Sequence, residues 1–206
     1  MMNRDYEKIS ELVNKVKEGD LQAFDELYSL TYNKVYLLAL SILKNKAMAE
    51  DSAQIICLKS LKSVNKLKNP KTFIAWINKI TYYYCLKEVS KLKREKKVEY
   101  KEDFMMNSKS YEYQDPLEYF LLKESQKEIL YLISKLSEKQ STILVLKYFE
   151  GLKISEIAYV LDIPEGTVKT RLHKAKKKFR KLYINYMKNK EKVKDSKVDY
   201  LLKECI

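Results

Sequence analysis

The feature that most constrains this chain is its shortage of residues that turn or break the backbone. Only three Gly and three Pro occur in 206 residues, whereas Lys, Leu and Glu are abundant. Strand-rich folds need many turns, and turns favour Gly and Pro, while Lys, Leu and Glu favour helices. The sequence therefore predicts an all-α protein with short connections, long enough for one or two domains.

Residues 20–94 predict a first domain, a bundle of three amphipathic helices. Apolar side chains recur every three or four positions along residues 24–42 and again along residues 53–64, so each stretch presents one apolar helix face. A third helix begins near Thr72, whose hydroxyl we expect to cap it. Its single Trp76 is expected to pack in the core, because aromatic residues at helical spacing are usually buried.

The rest of the chain predicts a linker, a second domain and a tail. Residues 95–118 are charged and lose the helical period, which is typical of a linker. Residues 119–186 are helical again and form the second domain. Residues 187–206 make a charged C-terminal tail for which the sequence leaves open whether it frays or docks.

The second domain contains a sharp turn between two helices. The first is expected to be capped by Ser155, after a left-handed helix end at Gly151. Asp162 to Pro164 leaves room only for a tight turn. The helix that follows repeats apolar residues at steps of four and three, which form its inward stripe: Val168, Leu172, Ala175, Phe179 and Leu182. This pattern is typical of a helix-turn-helix unit.

The second helix of this unit opens with what we call the basic segment, residues 165–181. It contains eight Lys or Arg and one acid, Glu165, whereas a face that only confers solubility mixes both signs. In a helix-turn-helix unit the start of this helix enters the major groove, and later cations contact phosphates. The residues expected to contact DNA are Glu165, Thr167, Lys169, Thr170, Arg171, His173, Lys174 and Lys177.

The net charge of +13 predicts a polyanionic partner. Nucleic acid and an anionic membrane both fit, but the run VYLLAL is far too short to span a bilayer, so we expect no membrane insertion. The first ten residues lack the apolar core of a secretion signal, which favours a cytoplasmic protein. Three widely spaced Cys and a lone His fit no metal site, and Cys57 and Cys85 are expected to be reduced core thiols.

The second domain resembles the fourth conserved region of bacterial RNA polymerase sigma factors of the extracytoplasmic-function (ECF) type. The matching positions extend without a gap from Leu136 to Ala175. They are Leu136, Gln140, Tyr148, Glu150, Gly151, Glu156, Ile157, Ala158, Leu161, residues 163–169 (IPEGTVK), Arg171, Leu172, His173 and Ala175. In the family this region reads the minus-thirty-five promoter element, so the resemblance implies that the basic segment does so here.

The first domain is similar to the second conserved region of the same family. Residues 49–54 (AEDSAQ) match its A-E-D-x-x-Q motif, and Phe73, Trp76, Ile77 and Ile80 match its aromatic block. In the family this region grips the clamp of the polymerase largest subunit and melts the minus-ten element. The resemblance thus implies core polymerase and promoter DNA as partners, and it implies an anti-sigma protein as a third partner that many relatives have.

The resemblance also assigns residues to these roles. Asp51 and Gln54 are implied to contact polymerase, and they fall away from the apolar stripe of their helix. The minus-ten element is implied to lie against Lys66, Lys68, Asn69, Lys71, Thr72 and Trp76, most of them in what we call the basic loop, residues 65–72 (NKLKNPKT). Cations beside aromatic rings can trap unpaired bases. Ile55, Tyr83 and Lys87 depart from the usual pattern, which bears on minus-ten preference.

Two other functions remain open at the level of sequence. A stand-alone helix-turn-helix regulator would dimerise through the first domain and bind paired half-sites without polymerase. An enzyme, such as a recombinase, would need a nucleophile domain, and the sequence contains no G-x-S-x-G, H-E-x-x-H or P-loop motif. The sequence therefore favours a non-enzymatic sigma factor that needs no cofactor.

Overall fold

The computed structural model describes the backbone of residues 2–99 and 124–204, and the side chains of residues 6–94 and 128–190. Over these residues all the regular elements are helical, as the sequence predicted. They are α1 (Met2–Lys17), α2 (Leu21–Leu43), α3 (Lys46–Lys62), α4 (Phe73–Glu99), α5 (Glu124–Ser134), α6 (Glu138–Leu144), α7 (Ile154–Leu161) and α8 (Glu165–Glu204). Short 3-10 turns at Val64–Lys66 and Pro70–Thr72 precede α4, and a π-helical turn at Val145–Phe149 follows α6.

Helices α1–α4 form what we call the amino-terminal bundle. Its core contains the fully buried side chains of Leu27, Leu38, Ile56 and Phe73. The caps are local: Asp20 accepts a hydrogen bond from the Ala23 amide at the start of α2, and Asn45 caps α3 in the same way. Short polar side chains satisfy the first free amides of a helix, so these ends follow from the sequence.

Helix α1 is an element that the sequence reasoning did not include in the bundle. Its residues Ile9, Leu12 and Val13 are buried in the core, and Tyr6 packs against it. These positions follow the helical period of three and four, so the signal was present before residue 20. The bundle therefore has four helices rather than three.

Helices α5–α8 form what we call the carboxy-terminal unit. Gly151 adopts φ 71° after the π-helical turn, which confirms the predicted left-handed helix end. Asp162 adopts φ 53° at the end of α7, and its conformation makes the sharp turn into α8. Asp tolerates this region better than most residues because its short side chain bonds locally.

Two predicted caps are wrong. Helix α7 begins one residue before Ser155, and the Glu156 carboxylate accepts the Lys153 amide at 2.7 Å, so Glu156 caps this end. Thr72 donates its hydroxyl to the Asn69 carbonyl at 2.7 Å and caps no amide by that contact. The Asn69 side chain instead accepts from the Lys71 amide. At α7 the Glu156 carboxylate thus takes the place of the predicted Ser155 cap, and at α4 the Thr72 hydroxyl bonds backward to Asn69.

Most of the predicted linker lies outside the described residues, because residues 100–123 are not described. Helix α4 continues to Glu99, past the start of that linker, and α8 continues through most of the predicted tail to Glu204. Cys205 lies outside the described residues, whereas Cys57 and Cys85 are both fully buried, as predicted. Within the described part of the chain, no helix has the length and apolarity needed to cross a membrane.

The bundle and the carboxy-terminal unit are docked against each other. Helix α4 packs on α7, and α2 packs on α6. Ser41 in α2 contacts Ser141 and Thr142 in α6, where the Ser141 hydroxyl donates to the Ser41 carbonyl at 2.9 Å. Lys44 also donates to the Ser141 hydroxyl at 2.9 Å, and burial lowers its pKa to about 8. The interface is thus polar as well as apolar.

Candidate nucleic-acid interface

The basic segment is held in place by apolar side chains on its inner face. Val168 and Ala175 are fully buried, and Leu172 and Phe179 pack partly against the core. Behind them lies α7, with Ile157 fully buried. This confirms the inward stripe and the two-helix packing that the sequence predicted. A helix braced on one side can present its opposite side to a groove of DNA at a defined angle.

The outer face of the basic segment carries the residues predicted to contact DNA. Six of these eight side chains are exposed: Glu165, Lys169, Thr170, His173, Lys174 and Lys177. The other two, Thr167 and Arg171, are half-buried. Burial raises the pKa of the Tyr82 phenol on α4, and the nearby Arg171 guanidinium opposes that rise. The structure therefore places the eight residues on one helix, and Arg171 among them lies near the bundle.

Most of the described outer part of α8 carries charge of one sign. Residues 166–190 contain ten Lys or Arg and no Asp or Glu. Such an array attracts phosphates strongly, because each neutralised phosphate releases condensed counterions. The Thr170 hydroxyl donates to the Gly166 carbonyl at 3.0 Å, so it lies over the first turn of the helix.

A groove that the sequence reasoning missed runs between α5 and α8. Its floor is apolar, with Ile129 and Ile133 of α5 and Phe149. His173, Lys176, Lys177 and Arg180 also line it. Two of the residues predicted to contact DNA, His173 and Lys177, therefore border this groove. Only tertiary contact between α5 and α8 creates it, so no local sequence signal could have shown it.

The basic loop forms a second exposed positive surface. Val64 and Leu67 are buried and anchor the loop to the bundle, and the Lys17 ammonium donates to the Leu67 carbonyl. Five of the six side chains predicted to contact the minus-ten element lie in or between the two 3-10 turns and are exposed: Lys66, Lys68, Asn69, Lys71 and Thr72. The anchors thus fix the loop while its cations remain in solvent.

The aromatic residues near this loop are divided between core and surface. Trp76 is half-buried, and its ring centroid lies 5.9 Å from that of Phe73, so it packs partly in the core. Tyr82 and Tyr84 are also half-buried, whereas Tyr83 is 44% exposed. The Tyr83 phenol lies beside the Asp162 carboxylate at the turn before α8. Desolvation and the nearby Asp162 carboxylate raise the pKa of Tyr83.

The predicted polymerase contacts lie on a third surface. Asp51 and Gln54 are exposed on α3, while Ala53 and Ile56 of the same helix are buried, as predicted. The structure adds two residues that the sequence reasoning did not assign to this surface. Ile55 is 37% exposed and Leu58 is 44% exposed. Exposed apolar residues beside polar ones are typical of a protein contact surface.

Comparison with family models matches both halves of the chain. Residues 27–95 match the model described as Sigma-70 region 2, and residues 126–179 match the model described as Sigma-70, region 4. The first match covers the basic loop and α3, and the second covers the helix-turn-helix unit. Neither model describes an enzyme.

The chain also resembles complete proteins. It is 30% identical over 178 residues to the ECF RNA polymerase sigma factor SigW of Bacillus subtilis, covering 84% of this chain and 95% of SigW. It is 34% identical over 149 residues to the RNA polymerase sigma factor SigV of the same organism, covering 70% of this chain and 81% of SigV. This chain belongs to the ECF RNA polymerase sigma factor family.

As an ECF sigma factor, the protein binds core RNA polymerase and directs sequence-specific promoter recognition and transcription initiation. The match to both sigma regions favours this function over that of a stand-alone dimeric regulator, which needs only the helix-turn-helix. The resemblance stated from the sequence is therefore confirmed.

Solved structures show the same fold. The sigma factor RpoE of Bartonella quintana, in a complex with the anti-sigma factor NepR, matches with a TM-score of 0.59 at 18% identity, covering 79% of this chain and 98% of that chain. The structure of CnrH in complex with the cytosolic domain of CnrY matches with a TM-score of 0.58 at 17% identity, covering 86% of this chain and 98% of that chain. At this identity the likeness concerns the fold.

Proposed function

We propose that the basic segment of this sigma factor reads the minus-thirty-five element in the major groove. The observation that supports this most directly is the arrangement of α8, whose apolar stripe is buried against α7 while Lys169, Thr170, His173 and Lys174 are exposed. Thr167 and Arg171 would join them at the start of the helix, with Glu165 as an acceptor for base amino groups. Lys177 lies further along the helix, where phosphates are closer than bases.

The basic loop captures the minus-ten element. Lys66, Lys68 and Lys71 would neutralise phosphates of the separated strand, and Asn69 and Thr72 offer hydrogen bonds to bases. Single-stranded DNA is held by cations together with aromatic rings on which bases stack. Trp76 is half-buried, so one edge of its ring remains for an unpaired base.

Asp51 and Gln54 contact the clamp of the largest polymerase subunit. Their exposure on α3, beside the exposed Ile55 and Leu58, supports this role. These residues lie on α3, a different element from those that carry the two cationic surfaces, so polymerase and DNA can be held together. Fixing two DNA-reading surfaces on one enzyme raises the effective concentration of the second contact.

The domains that carry these activities extend over residues 20–94 and 119–186, joined by residues 95–118. The matches to region 2 and region 4 support this division. An anti-sigma protein is proposed as a further partner, supported by the relative RpoE, which was solved with the anti-sigma factor NepR. Since core polymerase and promoter DNA are cytoplasmic, the protein is proposed to act in the cytoplasm.

Run-off transcription with core RNA polymerase over genomic fragments tests this proposal. We expect discrete transcripts that require the protein, together with DNA binding that is weak and salt-sensitive until core enzyme is added. The control reaction contains core enzyme alone. Specific, tight binding of DNA by the protein without polymerase would contradict the proposal.

A further inference from the structure

A buried polar cluster lies where the bundle meets the carboxy-terminal unit. At its centre is Glu150, which is only 2% exposed. The Asn78 carboxamide, on α4, donates to Glu150 Oε2 at 3.2 Å. The Tyr6 hydroxyl, on α1, donates to the backbone carbonyl of Glu150 at 2.8 Å. Two helices of the bundle therefore contact one residue of the carboxy-terminal unit.

The cluster contains two buried oxygens without a hydrogen-bond partner. They are Glu150 Oε1 and Asn78 Oδ1, the remaining oxygens of the two groups that already share a hydrogen bond. Both are acceptors while Glu150 is ionised, so neither can satisfy the other. A proton on Oε1 changes this, because a carboxylic acid and a carboxamide can exchange two hydrogen bonds. Leaving such buried groups unpaired destabilises the contact between the two halves.

We propose that the carboxy-terminal unit binds the DNA-facing side of α4 in a closed state of the free protein, and that proton uptake by Glu150 stabilises this closed state. The partner of this surface is thus the other half of the same chain. Beyond the Glu150 cluster, Lys79 lies over the ring of Tyr159 and Tyr83 lies beside Asp162, so α4 covers α7 and the turn before α8. Arg171 is half-buried beside Tyr82 in the same arrangement.

The closed state cannot read a promoter, and this step rests on the proposed function. The minus-ten and minus-thirty-five elements are about 25 base pairs apart, which is about 85 Å along B-DNA at about 3.4 Å per base pair. In the closed state the Lys79 ammonium lies 3.9 Å from the centroid of the Tyr159 ring. Tyr159 belongs to α7, the helix that braces the basic segment, so α4 and the helix-turn-helix unit must separate before both elements can be bound.

Several charged and polar groups face Glu150, and they determine the direction of the pH effect. Burial raises the pKa of the Glu150 carboxyl, while Lys34 of α2 and the hydrogen bond from Asn78 act in the opposite direction. Tyr6 faces it from α1 and also faces Glu156 of the carboxy-terminal unit; burial is the main cause that raises the pKa of Tyr6 to about 12, so the phenol remains protonated. The net direction for Glu150 is upward from 4.5.

The raised pKa of Glu150 in the closed state determines which state acid favours. In the open state Glu150 loses Asn78 and gains water, so its pKa returns toward the ordinary value of 4.5. Protonation then favours whichever state has the higher pKa, which is the closed one. The added stability of the closed state is complete below the open-state pKa and is lost as pH rises through the closed-state pKa. Lower pH therefore shifts the free protein toward the closed state, and higher pH shifts it toward the open state.

The test measures the distance between the two halves in the free protein, without DNA or polymerase. Fluorescent dyes are attached to Asn65→Cys and Asn185→Cys in a Cys205→Ser background, and energy transfer is followed from about pH 8 to about pH 5. With Glu150 and Asn78 unchanged, the ratio of closed to open molecules is expected to rise as pH falls, by at most about tenfold per pH unit. A ratio that does not change with pH would overturn the proposal.

Variants at the cluster test whether Glu150 acts as a proton-dependent latch, meaning a contact that stabilises the closed state, or is only a buried residue. Glu150→Gln imitates the protonated acid, so it is expected to be closed at every pH and to lose the pH dependence. Asn78→Ala, on the other half of the chain, is expected to lower the closed-to-open ratio about tenfold. Glu11→Gln, at an exposed carboxylate of α1, is the matched control and is expected to behave as wild type. Circular dichroism confirms that each variant is folded.

Transcription assays distinguish this proposal from the promoter-reading one. If Glu150→Gln closes the free protein and initiation from a cognate promoter falls about tenfold, both are supported. If energy transfer responds to pH and to the variants but no promoter is transcribed, the latch stands and the promoter assignment fails. If promoters are transcribed while energy transfer is the same in wild type, Glu150→Gln and Asn78→Ala, the latch is overturned.

Discussion

The ammonium of Lys79 lies 3.9 Å from the centroid of the Tyr159 ring, so a cation of α4 contacts the helix that supports the basic segment. This contact joins two residues that are 80 positions apart in the chain, and it is one of several polar contacts between the halves. A cation over an exposed aromatic face contributes about 0.5–1 kcal/mol. The docking of the two halves is therefore the sum of modest contacts, which allows it to be reversed.

Replacement of Tyr6 by Phe removes the hydrogen bond from its phenol to the Glu150 carbonyl. We expect the free energy of unfolding to fall by about 1 kcal/mol at neutral pH. The pKa of Tyr6 is about 12 in the folded protein and 10.0 ordinarily, so the wild type should lose stability between these values as the unfolded phenol ionises. Tyr6→Phe should lose less over that interval. Urea unfolding at about pH 8 and about pH 11 measures both effects.

Tyr148→Phe is the control for this experiment, because the side chain of Tyr148 is 51% exposed. It should match the wild type at both pH values. Equal alkaline destabilisation of the wild type and Tyr6→Phe would show that the Tyr6 phenol contributes nothing to the interface.

Replacement of Lys169 and Arg171 by Ala should weaken recognition of the minus-thirty-five element. Each side chain that reads a base contributes about 1–3 kcal/mol of discrimination, so the double variant should lose at least about tenfold in promoter binding by the holoenzyme. Retention by core polymerase should not change. The matched control replaces Lys139 and Lys153, two exposed cations of the same unit, by Ala. Wild-type transcription by Lys169→Ala with Arg171→Ala would remove these residues from the reading surface.

Reversal of charge at Asp51 should lower affinity for core polymerase. Asp51→Lys places a cation on the exposed face of α3, and the loss should be several-fold, because exposed charge pairs contribute about 0–1 kcal/mol and repulsion adds a similar amount. Asp25→Lys makes the same change at an exposed site of α2 and should retain wild-type affinity. Pull-down with core enzyme measures both, and unchanged retention of Asp51→Lys would exclude this contact.

Replacement of Lys66, Lys68 and Lys71 by Ala should impair opening of the minus-ten element. A plot of log affinity against log salt concentration has a slope to which each contact with a phosphate of single-stranded DNA contributes about 0.7. Removing three such contacts should reduce the magnitude of this slope by about 2. Permanganate reactivity of unpaired thymines reports opening directly. A control variant with Ala at Lys15, Lys93 and Lys139 has the same change in net charge at other exposed sites, and a fall of equal size there would contradict a specific role for the basic loop.

Cys57 and Cys85 should resist alkylation in the folded protein. Burial raises the pKa of Cys57 to about 11 and that of Cys85 to about 12, although a hydrogen bond with Thr31 opposes the effect at Cys57. At about pH 8 only about one thiol in a thousand or fewer would be ionised, and the thiolate is the reactive form. Mass spectrometry after iodoacetamide treatment should find both unmodified until urea is added. A thiol introduced at the exposed site Ser29→Cys should react at once.

The sequence alone determined the helical class and the helix-turn-helix unit of this protein. The reason is that both depend on short-range order: the three- and four-residue period of Val168, Leu172 and Ala175 defines the inner face, and whatever remains outside is exposed. The exposure of Asp51 and Gln54 follows from the same rule. The long ungapped likeness to region 4 then supplied the function, because those positions combine a packing pattern with a reading surface.

Only the tertiary structure decided how the two halves meet. Glu150 lies at the end of an amphipathic stretch and looks like any surface acid in the sequence, yet contacts from Asn78 and Tyr6, 72 and 144 positions away, bury it completely. The predicted caps at Ser155 and Thr72 were wrong for a related reason, since the partner that each helix end takes depends on the local geometry of the folded chain. Burial of a charge and the partners that satisfy it are properties of packing between distant segments, and local patterns do not contain them.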